Sequence, residues 1–434
     1  MARPTAPRLL IYSQDGLGLG HLRRTTLLAS EFIDHWPGAS ALTMSDSPLG
    51  QFFPLSSGHD YLKLPSIVKA GPGDWRPVSL ALSFPDVLEM RREIIRGTAL
   101  AFRPDVLLVD HMPHGAMGEL LPTLETLRSL PVRVVLGLRD ILDAPATVRQ
   151  RWRLEGAFEA VEQHYDQVLV YGSRDVFDVA SEYGWPRAAS AKLRYCGYVC
   201  SPPPPPTLAQ VTRARYRRPL RGAGDLIVAM AGGGADGKSL FDTLMSAVPA
   251  LVAQRHCMVV LVTGPFLPAA ERRDLLRRAR GLPVRVIKSL SDSQGHLDAA
   301  DLVVAMAGYN TTAEILSLGK RALLVPRSGP SAEQTMRSRL FADRGWIRWL
   351  PPDLLSAQTM SEAMLDALTA PGQPDGPAPD LGGRRAAASQ LLNGTPPPAQ
   401  VDADLSLPGE PVPATASVVD APPVGHVTGA REMA

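Results

Sequence analysis

Short apolar runs, rich in β-branched residues, alternate with longer segments of helical length along most of the chain. Both alternate faces of these runs are apolar, which is typical of strands buried on both faces of a parallel sheet. The runs fall into two series, at residues 8–13, 40–45, 104–110, 132–138 and 167–172, and at residues 225–232, 257–264, 284–290, 301–308 and 321–327. We therefore predict an α/β chain with two doubly wound, Rossmann-like domains.

The segments between and after these two series predict the domain boundaries. Five consecutive prolines, Pro202 to Pro206, separate the series, and such a run favours an extended segment over a helix interior or a sheet. We therefore predict an N-terminal domain at residues 1–198, a proline-rich linker at 199–222 and a C-terminal domain at 223–370. The apolar pattern then stops, and the proline- and alanine-rich segment 371–434 is predicted to be a disordered tail.

Composition and charge exclude several classes of protein. Of the 434 residues, 45% are apolar and 20% are charged, so the chain can bury substantial cores. The formal net charge of +2 is too small to indicate nucleic acid as a partner. The three cysteines lack the spacing of a zinc site or a disulfide framework, and no apolar run reaches the roughly 18 residues of a membrane-spanning helix. We therefore expect a cytoplasmic protein without a metal site.

A glycine-rich turn with a histidine, Gly16-Leu-Gly18-Leu-Gly20-His21, follows the first predicted strand. Glycines here let the backbone approach a ligand closely, and the following helix offers free N–H groups to an anion. Binding of a nicotinamide dinucleotide is disfavoured, because its fingerprint requires glycine where His21 stands. We predict that this turn lines a cleft and presents His21 to it, although a tight turn with a buried histidine would leave the same pattern.

A second glycine turn, Gly232-Gly233-Gly234, follows the first strand of the C-terminal series. It also precedes a predicted helix, so two loops suited to anions face the expected cleft from opposite domains. Two such loops, with a proline-rich linker between them, predict a ligand clamped between the domains.

The segment from Ala300 to Gly345 carries the most specific pattern. A predicted strand ends at Gly308, Asn310-Thr311-Thr312 could cap the next helix, and Glu314 is expected in the first turn of that helix. A carboxylate there could accept both hydroxyls of a ribose, or it could merely stabilise the helix dipole. The residues alone leave both interpretations open.

Three motifs give the chain a resemblance to a known family. The stretches "GLGLGHLRRTTLLA", "MAGGGADG" and "GYNTTAEILSLGKRALLVPR…EQTMRSRLFADRG" are similar to the N-terminal glycine loop, the second glycine loop and the donor-nucleotide signature of family 28 glycosyltransferases. The resemblance covers roughly residues 8–345. It implies the GT-B fold, in which two Rossmann-like domains face a central cleft.

The same resemblance implies roles for individual residues. Glu314 would bind the donor ribose, Gly308 to Thr312 would lie against the phosphates, and Gln334 would contact sugar hydroxyls. In the peptidoglycan branch of the family a histidine precedes that glutamine, but this chain has Glu333, which leaves the identity of the sugar open. The expected donor site comprises Gly232, Gly233, Gly234, Gly308, Asn310, Thr311, Thr312, Glu314, Glu333 and Gln334. Gly16, Gly18 and Gly20 would line the acceptor and phosphate side.

The chemistry implied by the family is an inverting displacement without a metal or other cofactor, using a nucleotide sugar as co-substrate. The donor would be a nucleoside diphosphate sugar, with uracil favoured by the family alone, and the acceptor a small molecule or a lipid-linked one. A general base must then take the acceptor proton. His21 is the first candidate, Asp110 the second and Asp140 the third. A carboxylate could instead orient His21, and Arg139 with Asp140 could equally form a structural ion pair.

Several alternatives remain open. Nucleotide-sugar hydrolases of pseudaminic acid synthesis carry a similar GxGHxxR loop, and 2-epimerases share the architecture. A scaffold that binds sugar nucleotides without turnover is a third possibility. The amphipathic helix predicted near residues 84–105 carries four arginines; it could touch a membrane peripherally, but packing on the sheet is the simpler interpretation.

Overall fold

The computed structural model describes residues 6–14, 20–47, 55–71, 74–216, 224–290, 292–369 and 377–392. The N-terminal part contains a parallel sheet in the order β3-β2-β1-β6-β7-β8-β9. Its strands are β1 (Arg8–Ser13), β2 (Ser40–Ser45), β3 (His59–Lys63), β6 (Val106–Asp110), β7 (Arg133–Arg139), β8 (Gln167–Tyr171) and β9 (Leu193–Tyr195). An antiparallel hairpin of β4 (Ile67–Gly71) and β5 (Asp74–Pro77) is separate from this sheet.

Helices connect these strands. They are α1 (Gly20–His35), α2 (Phe84–Phe102), α3 (Leu121–Leu127), α4 (Pro145–Leu154), α5 (Ala157–His164), α6 (Val179–Tyr183) and α7 (Arg187–Ser190), with a 3-10 turn at Ala116–Gly118. The residues of α2 explain its start, because Ser83 accepts a hydrogen bond from the Asp86 N–H and a proline stands in the first turn. Its buried face includes Val87, Arg91 and Ile95, so the packed interpretation of this helix is confirmed.

The C-terminal part contains a second parallel sheet in the order β12-β11-β10-β13-β14-β15. Its strands are β10 (Asp225–Met230), β11 (Cys257–Val262), β12 (Val284–Ile287), β13 (Leu302–Ala305), β14 (Ala322–Leu324) and β15 (Arg348–Trp349). The helices are α8 (Pro206–Ala214), α9 (Lys238–Gln254), α10 (Ala269–Arg278), α11 (Ser293–Ala299), α12 (Tyr309–Ser317), α13 (Glu333–Asp343), α14 (Ala357–Thr369) and α15 (Gly383–Leu391), with a 3-10 turn at Pro352–Leu354.

Both sheets reverse their strand order at one point, which locates the ligand crevice of such folds. In the first sheet β1 lies beside β6, and Ser13 pairs with Asp110 at the carboxyl ends of the two strands. In the second sheet β10 lies beside β13, and Met230 pairs with Ala305. One apolar core runs through both halves, from Leu9 and Leu28 to Leu226 and Phe341. The predicted α/β class with two Rossmann-like domains is confirmed.

The prediction of a disordered tail from residue 371 is wrong for residues 377–392. Helix α15 lies in this segment and buries Ala387, Ala388 and Leu391 against the N-terminal part. Its small side chains allow a close approach, and Arg384 pairs with Glu31 of α1 at 2.6 Å. Alanines with one leucine carry too weak an apolar signal to reveal this packing from the sequence. Residues 371–376 and 393–434 lie outside the described residues.

The predicted linker contains a helix. Pro206 is the first residue of α8, a position that tolerates proline because its missing N–H would have no partner there. The helix buries Thr212, and the described part of the linker ends at Tyr216. Among the described residues, no helix is both long and apolar enough to cross a membrane.

Candidate active site

A cleft of about 1100 Å³ opens where the carboxyl ends of the central strands of both sheets meet. From the N-terminal part it is lined by Gly20, His21 and Arg139, among others. From the C-terminal part the lining includes both predicted nucleotide loops, with Gly232, Gly233, Gly234, Gly308, Asn310, Thr311, Glu333 and Gln334. The structure therefore brings most of the predicted site residues together. Gly16 and Gly18 lie outside the described residues.

His21 and the carboxylate of Asp110 form a hydrogen-bonded pair at the point where the first sheet reverses its strand order. His21 is the second residue of α1, and its Nδ1 lies 2.5 Å from Asp110 Oδ2 at the end of β6. Nδ1 is therefore the ring nitrogen that faces Asp110, and Nε2 is on the other side of the imidazole. Asp110 is buried and is not part of the cleft lining. Its position favours an orienting role behind His21 over direct contact with a ligand.

Arg24 also binds the carboxylate of Asp110. Its Nη2 donates to Asp110 Oδ1 at 2.9 Å and to Oδ2 at 2.8 Å. The guanidinium carbon also lies 5.3 Å from the ring centroid of Tyr171 and 5.4 Å from that of Tyr309. Burial alone would raise the pKa of Asp110, but Arg24 and His21 outweigh it and hold the pKa well below its usual range. Asp110 is therefore ionised whenever the protein is folded near neutral pH.

The lowered pKa of Asp110 makes a prediction about stability. Such a carboxylate stabilises the folded chain above the pKa of the unfolded chain, about 3.9, and this contribution is lost as the pH falls toward the lower folded value. We expect the difference in unfolding free energy between wild type and Asp110→Asn to shrink as the pH falls below about 4. Urea unfolding at a series of pH values measures it. Parallel pH profiles of the two proteins would show that Asp110 has no lowered pKa.

His111 is a second histidine at this strand end. Its backbone φ of 79° lies in the left-handed region, which is uncommon for a residue with a side chain. Its ring centroid lies 5.2 Å from that of His21. Burial, assisted by the nearby Arg139 guanidinium, lowers the pKa of His111 well below its usual range. A neutral ring therefore packs against His21.

The second glycine loop requires glycine for steric reasons. Gly232 and Gly234 have φ values of +60° and +91°. A Cβ on Gly234 would lie 2.0 Å from the carbonyl oxygen of Thr263, so no side chain fits there. The loop lines the cleft without any side chain at positions 232–234.

The helix after β13 differs in two details from the prediction. Gly308 is its N-cap, no side chain caps it, and Thr312 is buried with its hydroxyl bonded to the Gly308 carbonyl at 2.9 Å. Asn310 instead donates to the Gly20 carbonyl at 2.8 Å and so links the starts of α12 and α1. Because α12 begins at Tyr309, Glu314 lies in its second turn and not in the first. A contribution of Glu314 to the helix dipole is thereby reduced.

Glu314 is buried and engaged in this structure. It forms an ion pair with Arg23 of α1 and accepts a hydrogen bond from Ser201 Oγ at 3.1 Å. Burial raises the pKa of Glu314, against the effect of the Arg23 guanidinium. Arg23 and Ser201 line the cleft whereas Glu314 itself does not. A ribose could reach this carboxylate only by replacing Arg23.

Glu333 and Gln334 begin α13 and line the cleft beside two arginines. Arg139 Nη1 lies 2.8 Å from Glu333 Oε2, and Arg327 Nη2 lies 3.7 Å from Glu333 Oε1. Gln334 Oε1 accepts a hydrogen bond from the Arg327 backbone N–H at 3.1 Å. The residue that replaces the histidine of the peptidoglycan branch is thus a carboxylic side chain that lies between two arginines.

Asp140 does not pair with Arg139, contrary to the alternative considered above. Arg337 Nε and Nη2 donate to its two carboxylate oxygens at 2.9 Å and 2.5 Å, across the two halves of the chain. Arg337 Nη1 also donates to the Ala307 carbonyl at 2.8 Å. Asp140 is buried and does not line the cleft. Both of its oxygens are occupied, which disfavours it as a general base.

Sequence reasoning missed several arginines of this site. Arg24 follows His21 by three residues, a spacing that puts both on one helix face, so its proximity to Asp110 could have been inferred. Arg327 and Arg337 gave no such signal, because their partners are remote in sequence. Among the described residues, no group of three or more His, Cys, Asp or Glu side chains could hold a metal ion.

The chain is similar in sequence and in structure to known glycosyltransferases. Residues 227–381 match the model of the glycosyltransferase family 28 C-terminal domain. The structure of Acinetobacter baumannii MurG has a TM-score of 0.53 at 14% identity, over 89% of this chain and 94% of that one. The chain has the GT-B fold, and its C-terminal part is similar to the family 28 C-terminal domain. The predicted resemblance and fold are thereby confirmed.

Other similar proteins differ in their reported activities. A UDP-N-acetylglucosamine–N-acetylmuramyl-(pentapeptide) pyrophosphoryl-undecaprenol N-acetylglucosamine transferase of Shewanella loihica is 30% identical over 132 residues, 30% of this chain and 36% of that protein. The present chain thus spans about a third of that relative's length. The UDP-GlcNAc 2-epimerase of Methanocaldococcus jannaschii has a TM-score of 0.56 at 10% identity, over 88% of this chain and 99% of that one.

Proposed function

We propose that the protein is an inverting, metal-independent glycosyltransferase. It would move a hexose or N-acetylhexosamine from a nucleoside diphosphate, with UDP the first candidate, to a hydroxyl or amine acceptor. The observation that carries this proposal is that His21 and the loop Gly232–Gly234 line one cleft, with Asp110 hydrogen-bonded to His21. Both groups lie where their sheet reverses its strand order. The family 28 match over residues 227–381 supports the choice of donor.

His21 is the proposed general base. As the acceptor oxygen forms its bond to the anomeric carbon, the bond from that carbon to the diphosphate oxygen breaks, and the acceptor proton passes to His21 Nε2. Asp110 on Nδ1 keeps the ring in the required tautomer and stabilises the imidazolium that forms. Arg24 keeps Asp110 ionised and fixed in place.

The leaving diphosphate gains negative charge in this step. The Gly232–Gly234 loop and the start of α12 at Gly308 and Tyr309 line the cleft with backbone groups. Free N–H groups at a helix start stabilise anions without any ion being added. In this proposal these N–H groups stabilise the charge that a bound metal stabilises in other transferases, so no cofactor is needed.

The acceptor and the cellular location belong to the same proposal. The names of the curated relatives describe a lipid-linked acceptor, and a cytoplasmic enzyme that visits a membrane surface would meet one. Val78, Leu80 and Leu82 are exposed apolar side chains just before α2, which supports peripheral contact of this surface with lipid. A soluble small-molecule acceptor remains the alternative.

Glu314→Ala tests the proposed ribose contact. We expect this variant to bind UDP more weakly by about 2 kcal/mol, because two charge-assisted hydrogen bonds to the ribose hydroxyls are lost. Arg23→Ala is the matched control, since it removes the other half of the ion pair. It should bind UDP at least as tightly as wild type, because the ribose no longer displaces Arg23. Equal weakening in both variants, measured by calorimetry, would assign the pair a structural role only.

Incubation with nucleotide sugars distinguishes the transferase from its rivals. A transferase releases nucleoside diphosphate only when an acceptor is present and inverts the anomeric configuration of the sugar. A hydrolase releases it without acceptor. An epimerase changes the configuration of the sugar and yields a product that still carries the nucleotide. This outcome is tested because two epimerase structures match the chain with TM-scores of 0.56. Acceptor-independent turnover of either kind would contradict the proposed reaction.

A further inference from the structure

Arg327 is a cation in the cleft for which the proposed chemistry has so far given no role. It follows β14 closely and lines the cleft beside the second glycine loop. Its Nη1 lies 2.7 Å from Oδ2 of Asp236, which belongs to that loop. The guanidinium therefore stands beside the backbone that we expect to face the donor diphosphate.

The contacts of Arg327 are of a kind that a ligand can replace. Asp236 is 57% exposed, and Glu333 is the more distant partner at 3.7 Å. Ion pairs with an exposed carboxylate contribute little, so exchanging Asp236 for a more highly charged anion costs little. The Nε atom of Arg327 is buried and has no hydrogen-bond partner among the described residues. A buried donor without a partner indicates a missing acceptor.

Three other arginines line the cleft, and each pairs with a buried carboxylate. Arg24 is buried and donates to both oxygens of Asp110. Arg23 pairs with the buried carboxylate of Glu314, so it lies where the proposed ribose contact is made. Arg139 pairs with the buried carboxylate of Glu333 at 2.8 Å. Arg327 can turn toward a ligand while Asp236 is left in water.

The glycine loop itself supplies no side chain for a phosphate. Its residues 232–235 are three glycines and an alanine, so it offers backbone groups alone. Backbone N–H groups carry only partial charge, whereas the diphosphate leaves with additional negative charge on its terminal phosphate. Arginine binds phosphate through two parallel hydrogen bonds and remains charged at all physiological pH values.

We infer that Arg327 binds the terminal phosphate of the donor diphosphate and stabilises the charge that the leaving group gains when its bond to the sugar breaks. This inference rests on the proposed function. Asp236 and Glu333 hold the guanidinium in the cleft until the donor exchanges with Asp236. Arg327 would thus make the site selective for a diphosphate over a monophosphate.

Binding of UDP, UMP and uridine to wild type and Arg327→Ala tests the inference. We expect the variant to bind UDP about 10- to 100-fold more weakly and uridine with unchanged affinity, because only the terminal phosphate loses its partner. The preference of the protein for UDP over UMP should therefore largely disappear. Arg327→Lys should retain part of that preference, since it keeps the charge but loses the paired hydrogen bonds.

Two controls separate this result from general effects. Arg278→Ala removes a surface guanidinium that pairs with Asp242 away from the cleft, and it should leave all three affinities unchanged. Asp236→Asn removes the resting partner of Arg327 and should bind UDP at least as tightly as wild type. An unchanged ratio of UDP to UMP affinity in Arg327→Ala would overturn the inference while UDP binding itself stands. Absence of nucleotide binding by wild type would instead remove the proposed function, and the inference with it.

Discussion

His21→Ala should lower the turnover of nucleotide sugar by about 10²- to 10⁴-fold while leaving UDP affinity close to that of wild type. In the proposed mechanism the imidazole takes the acceptor proton, whereas the proposed donor contacts come from the C-terminal part of the cleft. Steady-state kinetics with a sugar nucleotide and acceptor, together with calorimetric titration of UDP, measure both parts of this expectation. Added imidazole should restore part of the lost turnover.

His35→Ala is the matched control, because His35 lies at the other end of the same helix α1, remote from the cleft. It should retain wild-type turnover and wild-type UDP affinity. Normal turnover in His21→Ala would contradict the assignment and leave the two carboxylates as candidates. Asp110 would then be tested first, because Asp140 has both oxygens occupied by Arg337.

Arg337→Met should destabilise the protein by about 3–5 kcal/mol, because it leaves the buried carboxylate of Asp140 without a partner. The Arg337 and Asp140 side chains are only 1% and 2% exposed. The Ala307 carbonyl loses a hydrogen-bond donor as well. Urea unfolding followed by circular dichroism measures the change in the free energy of unfolding.

The double variant Arg337→Met/Asp140→Leu should recover most of this loss, because replacing both members of a buried ion pair by apolar residues is often close to neutral. Arg339→Met changes a 75% exposed arginine of the same helix and should alter stability by no more than about 0.5 kcal/mol. A cost below about 1 kcal/mol for Arg337→Met would mean that water enters this part of the domain interface.

The interior of both sheets could be predicted from the sequence, whereas the edges could not. Central strands such as β1 and β10 are apolar on both alternate faces, because helices cover both faces of the sheet. The edge strand β3 has the sequence HDYLK and buries only His59, so it lacks that pattern. The two-residue strand β15 is too short to leave a pattern. Helix α15 was missed because its packing depends on alanines.

In the candidate site, contacts between neighbouring strand ends could be predicted from the sequence, whereas contacts between the two halves of the chain could not. His21 and Asp110 could be expected together, because they follow or end strands that adjoin at the switch point of the sheet. The partner of Asp140 could not, since Arg337 is 197 residues away and the pair forms only when the two halves of the chain dock. The helix start at Tyr309, one residue after the glycine, moved Glu314 into the second turn. Side-chain partners across a domain interface are set by packing, which the local pattern does not encode.

Calorimetric titration of the wild-type protein with UDP, TDP, GDP and ADP, in the presence of a metal chelator, tests whether this cleft binds a nucleotide-sugar donor. We expect one of the four to bind, with UDP the first candidate, and the affinity to stay unchanged when the chelator is removed. Binding of none of them would contradict the assignment of this cleft to a nucleotide-sugar donor. Binding that appears only when a divalent metal is added would contradict the proposed metal independence.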